Sequence, residues 1–338
     1  MHTSTDVTPF EPVRLTFEKV EERHGLSARE LEGYLRAQTP VIIRGALEHC
    51  PAMKRWATPD MLADRVGDVE VLLTRSTTWP IRYFRDLPEV PTPFREGIRR
   101  VFTPDENASY YMHQRDLLSQ APQLAEDLIF PFPELATEFQ LQFQEALFWI
   151  GSADTVSRLH CDFPHNIVGQ IKGAKQFRIF PHEQAPRFYP PAPFSPDPYH
   201  TPVSTMGDCS ARDYPLMTGA RGLDASISEG DVLVLPSLWW HQVVAREASV
   251  MVNWFSVSPT MARDWPAMLP WAAALAGGEW EQAIKLATQY ETAHVRDAGL
   301  AATARHLLTQ DEPALALRAL GLVANPGYAR EMAALLPA

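Results

Sequence analysis

Cysteine is scarce in this chain. Cys50, Cys161 and Cys209 are the three in 338 residues, far apart and without a C-x-x-C pair. That spacing argues against a disulfide framework and against a structural zinc knuckle. Concentrated positive charge is missing too: 30 Lys and Arg against 41 Asp and Glu give a formal net charge of −11, and the basic residues are scattered. Phosphate backbones are held by clustered cations, so a nucleic acid is not the expected partner. No apolar run is long enough to cross a bilayer, and the N-terminus lacks a basic stretch followed by an apolar one. No membrane association is expected, and the cytoplasm is the expected compartment. What is plentiful is apolar content, at 46%, enough for a sizeable core.

The local signals divide the chain into a tail over 1–24, a catalytic domain over 25–259 and a helical region over 260–338. Ser27-Ala28-Arg29-Glu30 reads as a capping box opening a helix, and Thr58-Pro59-Asp60 as a second helix start with Thr58 as cap. Thr39–Gly45 and Val69–Leu73 read as short strands. From Thr77 to Pro133 the chain is rich in Pro and aromatics and is expected to be a long connection that walls a site. A dense run of strands follows, at Ala146–Gly151, Asn166–Ile171, Gln176–Phe180, Asp231–Leu235, Trp239–Ala245 and Ser249–Val257. The Pro-rich stretch between Pro181 and Asp224 is expected as an irregular insert near a barrel mouth. After Pro259, Ala- and Leu-rich segments at 279–292, 298–309, 313–323 and 329–336 show helical spacing. They are expected to cover the barrel end or build a homodimer interface, with substrate docking as the alternative.

Chemistry is concentrated in His160-Cys161-Asp162 and, much later, His241. Residues i and i+2 of a strand point the same way, so His160 and Asp162 can converge on one ion while Cys161 turns away. Two imidazoles and a carboxylate occupying one face of an octahedral metal leave the other face open, which suits non-haem Fe(II) oxygenases. A lone His-x-Asp is weak evidence, because loops contain it by chance.

Three further motifs, in order, strengthen it. Thr39-Pro40-Val41-Ile42-Ile43-Arg44-Gly45, Ile171-Lys172-Gly173-Ala174-Lys175-Gln176-Phe177-Arg178-Ile179-Phe180-Pro181, and Glu229 to Pro236 followed by Trp239-Trp240-His241 resemble segments of the JmjC and cupin-like 2-oxoglutarate oxygenases. The likeness is closest to the branch that includes the asparaginyl hydroxylase acting on hypoxia-inducible factor, and it covers roughly residues 25–257. It implies a mainly β fold with helical additions, a double-stranded β-helix or jelly-roll core followed by the C-terminal α-helical region. It implies Fe(II), with 2-oxoglutarate and O2 as co-substrates, held by His160, Asp162 and His241 as metal ligands and catalytic residues. Lys175 would take the distal carboxylate of 2-oxoglutarate, whereas Lys172 is expected to be a solvated turn residue. Tyr111 would hydrogen-bond that carboxylate, with Tyr110 competing for the role; Ser157 stands where a relative has threonine. Asn166 and Asn253 match amide positions bordering the metal and the oxoglutarate. Among Trp149, Trp239, Trp240, Trp254 and Phe255 most are expected in the core, with Trp149, Trp240 and Phe255 as candidates for a substrate pocket. His165 and His182 are expected to be structural.

The resemblance implies hydroxylation of an amino-acid side chain in a protein or peptide, with release of succinate and CO2. The alternatives are an oxygenase of a small molecule such as a free or carrier-bound amino acid, an N-demethylase, and a catalytically silent cupin-type binding module.

Overall fold

In the computed structural model two β-sheets face one another. The structure describes residues 10–77, 87–105, 107–114 and 116–336, so residues 1–9 of the expected tail lie outside it. The smaller sheet has five strands in the order Thr16–Lys19, Arg221–Ile227, Lys175–Phe180, Trp240–Ala245 and Val156–Cys161. The larger begins at Glu21–His24 and Val41–Arg44, runs through Val232–Leu235, His165–Lys172, Ser249–Val257 and Leu147–Gly151, and ends with Ser109–Gln114, Glu70–Ser76 and Glu89–Pro93. Except for the two parallel pairs that Thr16–Lys19 and Glu21–His24 make, the ladders are antiparallel. This is the jelly-roll sandwich the motifs imply.

Alternation sorts the side chains. Phe177, Ile179, Val243, Val168, Met251, Leu233 and Leu235 form one apolar cluster between the sheets. On the outer face of the smaller sheet Leu159, Cys161, Phe180 and Trp240 pack under Ala185, Phe188, Val203 and Met217. The Pro-rich stretch roofs the back of this sheet with its apolar residues, and its His200 reaches the edge beside His160. It also contributes a strand, Arg221–Ile227, which the preceding prolines conceal in the sequence.

Two expectations change. The tail over 1–24 carries strands Thr16–Lys19 and Glu21–His24, each pairing in parallel with one sheet; they are short and their alternation is broken by charge. The connection from Thr77 to Pro133 instead supplies Glu89–Pro93, the helix Phe94–Phe102 and the strand Ser109–Gln114, which extend the larger sheet. Both expected helix starts are present. Ser27 and Glu30 form a reciprocal capping box, and the Thr58 side chain accepts from the Met61 N–H. Gly173 makes the turn before Lys175 at φ +71°, where an added Cβ would lie 2.3 Å from the Ala248 carbonyl oxygen.

Beyond the sheets, helices span Pro259–Ala276, Trp280–Thr288, Ala293–Thr309, Pro313–Leu320 and Pro326–Met332. The first is absent from the sequence expectation because Pro266 and Pro270 interrupt it. These helices share a core that includes Trp271, Tyr290, Leu300 and Tyr328, joined by Phe163 and Leu238 from the sandwich. None of the described helices is long and apolar enough to cross a membrane.

Candidate metal and co-substrate site

His160 and His241 stand directly opposite one another on neighbouring strands of the smaller sheet. Directly opposed residues share a face, and Val243 shows that this face is the interior one. Asp162 follows just past the end of the His160 strand, where its carbonyl accepts from the Leu238 N–H at 2.8 Å. The ligand atoms of His160, Asp162 and His241 lie within 4.8 Å of one another. His241 Nε2 is 3.5 Å from Asp162 Oδ2, and the two imidazole centroids are 4.1 Å apart.

The surroundings set the tautomers. His160 Nδ1 lies 2.6 Å from the Arg158 carbonyl oxygen and His241 Nδ1 lies 3.0 Å from that of Trp239. Each carbonyl requires an N–H at Nδ1, which leaves the Nε2 atom of each ring toward the shared space. Burial, reinforced by the neighbouring His160, pulls the His241 pKa down to about 4, so the imidazole is neutral at pH 7. Asn166 donates to Asp162 Oδ2 at 3.2 Å and holds the carboxylate in place. Two imidazoles facing one space and an oriented carboxylate fit a divalent first-row cation with vacant positions.

The same chamber holds the other expected residues. Lys175 opens the central strand of the smaller sheet on the face of Phe177 and Ile179 and is buried. Burial alone pulls its ammonium down to about 7, and among the described residues no carboxylate pairs with it. A buried cation without a counter-charge is costly unless an anionic ligand supplies one. Lys172 points elsewhere and pairs with Glu229 at 2.9 Å.

Tyr111 and Tyr110 part company across the strand. Tyr111 is opposite Gly151, and an added Cβ there would lie 2.7 Å from its ring, so glycine is what admits the tyrosine to the interior. Tyr110 faces the other core, where its hydroxyl donates to Asp105 and accepts from Arg75. Ser157 reaches the interior through a bulge. His241 pairs with His160 but Val243 pairs with Ser157, so one extra residue turns the serine inward. There its hydroxyl bonds to the Tyr111 phenol, partly offsetting the burial that raises the tyrosine pKa.

Asn253 is opposite Val168 and Phe255 is opposite Asn166, which puts all three polar and aromatic candidates on the inner face. Trp149 joins them opposite Met251 and stacks on His113 at 3.8 Å. His113 was not singled out from the sequence; its place two residues after Tyr111 on one strand was the available signal. The Oδ1 atoms of Asn166 and Asn253 and the Nε1 of Trp149 are buried without partners among the described residues. Trp240 is the exception. The pleat turns it to the opposite side from its neighbour His241, into the outer cluster with Cys161, so it does not border the metal position. Trp254 likewise leaves the chamber for the other core, and Trp239 donates to the Gln38 carbonyl. His165 accepts from the Ser237 N–H and His182 meets the Tyr328 hydroxyl, both apart from the triad. His200 was also missed: it bridges to His160 and stacks on its ring at 4.9 Å, anchored to Asp197.

A model of the cupin-like domain matches residues 27–261. The chain belongs to the cupin-like family. Within it the chain is similar to the lysine-specific demethylase JMJ30 of Arabidopsis thaliana, at 29% identity over 72% of this chain and 56% of that protein. It is similar to the human bifunctional peptidase and (3S)-lysyl hydroxylase JMJD7, at 27% identity over 64% of this chain and 77% of that one. Similarity to the human tRNA wybutosine-synthesizing protein 5 is 26% over 70% of this chain and 77% of its relative. The chain spans little more than half the length of the Arabidopsis relative. None of the three is named as an asparaginyl hydroxylase. JmjC members of the cupin-like family are oxygenases that use Fe(II) with 2-oxoglutarate and O2, the set the triad and Lys175 suit.

Proposed function

We propose that this chain is an Fe(II)- and 2-oxoglutarate-dependent hydroxylase of an amino-acid side chain in a protein or peptide, releasing succinate and CO2. The observation that carries the proposal is Lys175: a buried ammonium with no carboxylate partner among the described residues, in the same chamber as three converging metal donors. A silent binding barrel has no physical need for both. Bound by His160, Asp162 and His241, Fe(II) would supply O2 activation coupled to oxidation of 2-oxoglutarate.

The chain's own residues do the positioning. Lys175 would receive the distal carboxylate of 2-oxoglutarate, and the Tyr111 hydroxyl, steered by Ser157, would bond to the same group. The amide oxygens of Asn166 and Asn253, without partners among the described residues, would border the metal and the 2-oxoglutarate. Val168, Phe177 and Val243 keep the chamber apolar, which strengthens each charged contact inside it.

Similarity to a lysyl hydroxylase supports a protein substrate. Similarity to a lysine demethylase supports the second reading, attack on an N-methyl carbon. Succinate release that depends on both iron and 2-oxoglutarate tests the class. Mass spectrometry of lysate proteins treated with the enzyme then separates the products: gain of one oxygen supports hydroxylation, and loss of a methyl group supports demethylation. Three buried, unpaired cysteines support a reducing compartment such as the cytoplasm. Exposed Trp265 and Leu269 on the helix Pro259–Ala276 support pairing of two copies through the C-terminal helices, which sedimentation would detect.

A further inference from the structure

Behind the metal-bearing sheet lies a second cavity of about 610 Å³, walled by the outer face of that sheet, the Pro-rich stretch and the C-terminal helices. Its size falls in the range that holds a small organic ligand. Most of the wall is apolar, with Phe163, Leu238, Met268 and Trp271 among the contributors. Yet several polar groups on it lack partners. Among the described residues Trp240 Nε1 and the Tyr290 hydroxyl find no partner, and their residues are only 2% and 3% exposed. Ser195 Oγ on the same wall is also unsatisfied. Such orphans are uncommon in a native interior and each costs free energy.

Arg305 adds a charge to this list. Its guanidinium donates to the Pro190 and Pro191 carbonyl oxygens at 2.6 and 3.0 Å. That accounts for two of five N–H donors, and among the described residues no carboxylate pairs with it. Burial pulls its pKa down to about 10, so it remains a cation at neutral pH. His182, on the same wall, is held neutral by burial, with His294 and then Arg305 adding to the effect. An apolar chamber with one unpaired guanidinium and donors left over is complementary to a molecule with an apolar body and one anionic head.

We propose that this outer cavity binds a small amphipathic carboxylic acid, its carboxylate on Arg305 and its apolar body against the back of the sheet that carries His160 and His241. Cys161 and Trp240, which line it, are chain neighbours of the three metal-site residues, so the ligand would sit one residue behind them.

Octanoate and octan-1-ol, equal in chain length and different in charge, are the probes, titrated calorimetrically into the full chain. A charge-assisted pair in a buried site predicts roughly tenfold tighter binding of the acid. Ala302→Trp, which fills the cavity from its helical wall, should abolish binding of both. Arg305→Lys should keep the preference for the acid and Arg305→Gln should lose it. If Arg305→Gln does not fold, the lysine and tryptophan variants still decide. Because octanoate is an anion and Lys175 is a buried cation, Lys175→Ala is the control, and it should bind octanoate as the parent does. Equal affinity for acid and alcohol in the parent, undiminished binding by Ala302→Trp, or loss of binding in Lys175→Ala would each overturn the proposal.

Discussion

The two faces of the smaller sheet are built by the same strands and do opposite things. Toward the interior they present His160, His241, Lys175 and Ser157, each oriented by a backbone carbonyl, a bulge or a register position. Toward the outside they present Leu159, Cys161, Phe180 and Trp240, which meet a roof of proline-rich chain. The difference teaches that two adjacent residues, Trp240 and His241, need share no role. Pleating alone separates a metal ligand from a packing residue one position away.

Substitutions on the two faces should therefore separate. The largest effect is expected for His241→Ala, which should reduce iron-dependent 2-oxoglutarate turnover to background while circular dichroism stays native. Persistent turnover would remove His241 from the metal. Next is Lys175→Met. Losing one partner of a buried charge pair costs about 2–5 kcal/mol, so 2-oxoglutarate should bind at least about thirtyfold more weakly by calorimetry.

Lys175 also makes a signed pH prediction. Its folded pKa is depressed to about 7 from an ordinary 10.5, so between those values the unfolded chain holds more protons than the folded one. Without co-substrate, the parent should gain stability relative to Lys175→Met as pH rises from 7 toward 10. Affinity for 2-oxoglutarate should fall over the same rise, because the ammonium that receives it discharges. Thermal melts and titrations at pH 7 and 9.5 check both, and opposite slopes would count against the assignment.

Asn166→Ala should cost roughly 10–100-fold in iron affinity through a loosened Asp162, with little loss of fold. Gly151→Ala should push on Tyr111 and destabilise by about 1–3 kcal/mol in denaturant melts, raising the 2-oxoglutarate KM as well. The smallest effect belongs to the outer face. Cys161→Ala, between two ligands in sequence, should leave turnover within about twofold, and a large loss would show that the faces are not independent.

How much of this was legible in the chain depended on periodicity. The triad could be read because His160 and Asp162 are two apart and His241 lies in an apolar strand-like run, and the structure brings the three together. Asn166 and Asn253 could be placed near the site from the family resemblance, and Phe255 and Trp149 from lying on strands near it in sequence; all four face inward. Trp240 could not be assigned correctly by proximity to His241, because closeness along a strand alternates in space. Ser157 faces inward only because of a bulge, which leaves no mark in the residue types. The strands at Thr16–Lys19 and Arg221–Ile227 escaped notice because charge and proline around them hide the period of two. The helix Pro259–Ala276 escaped because internal prolines usually end helices.

Anaerobic titration of Fe(II) into the parent and into His160→Ala tests the central claim most directly. One tight site per chain in the parent, absent from the variant and required for tight 2-oxoglutarate binding, is the predicted result. Equal iron binding by both proteins, or 2-oxoglutarate binding indifferent to iron, would contradict it.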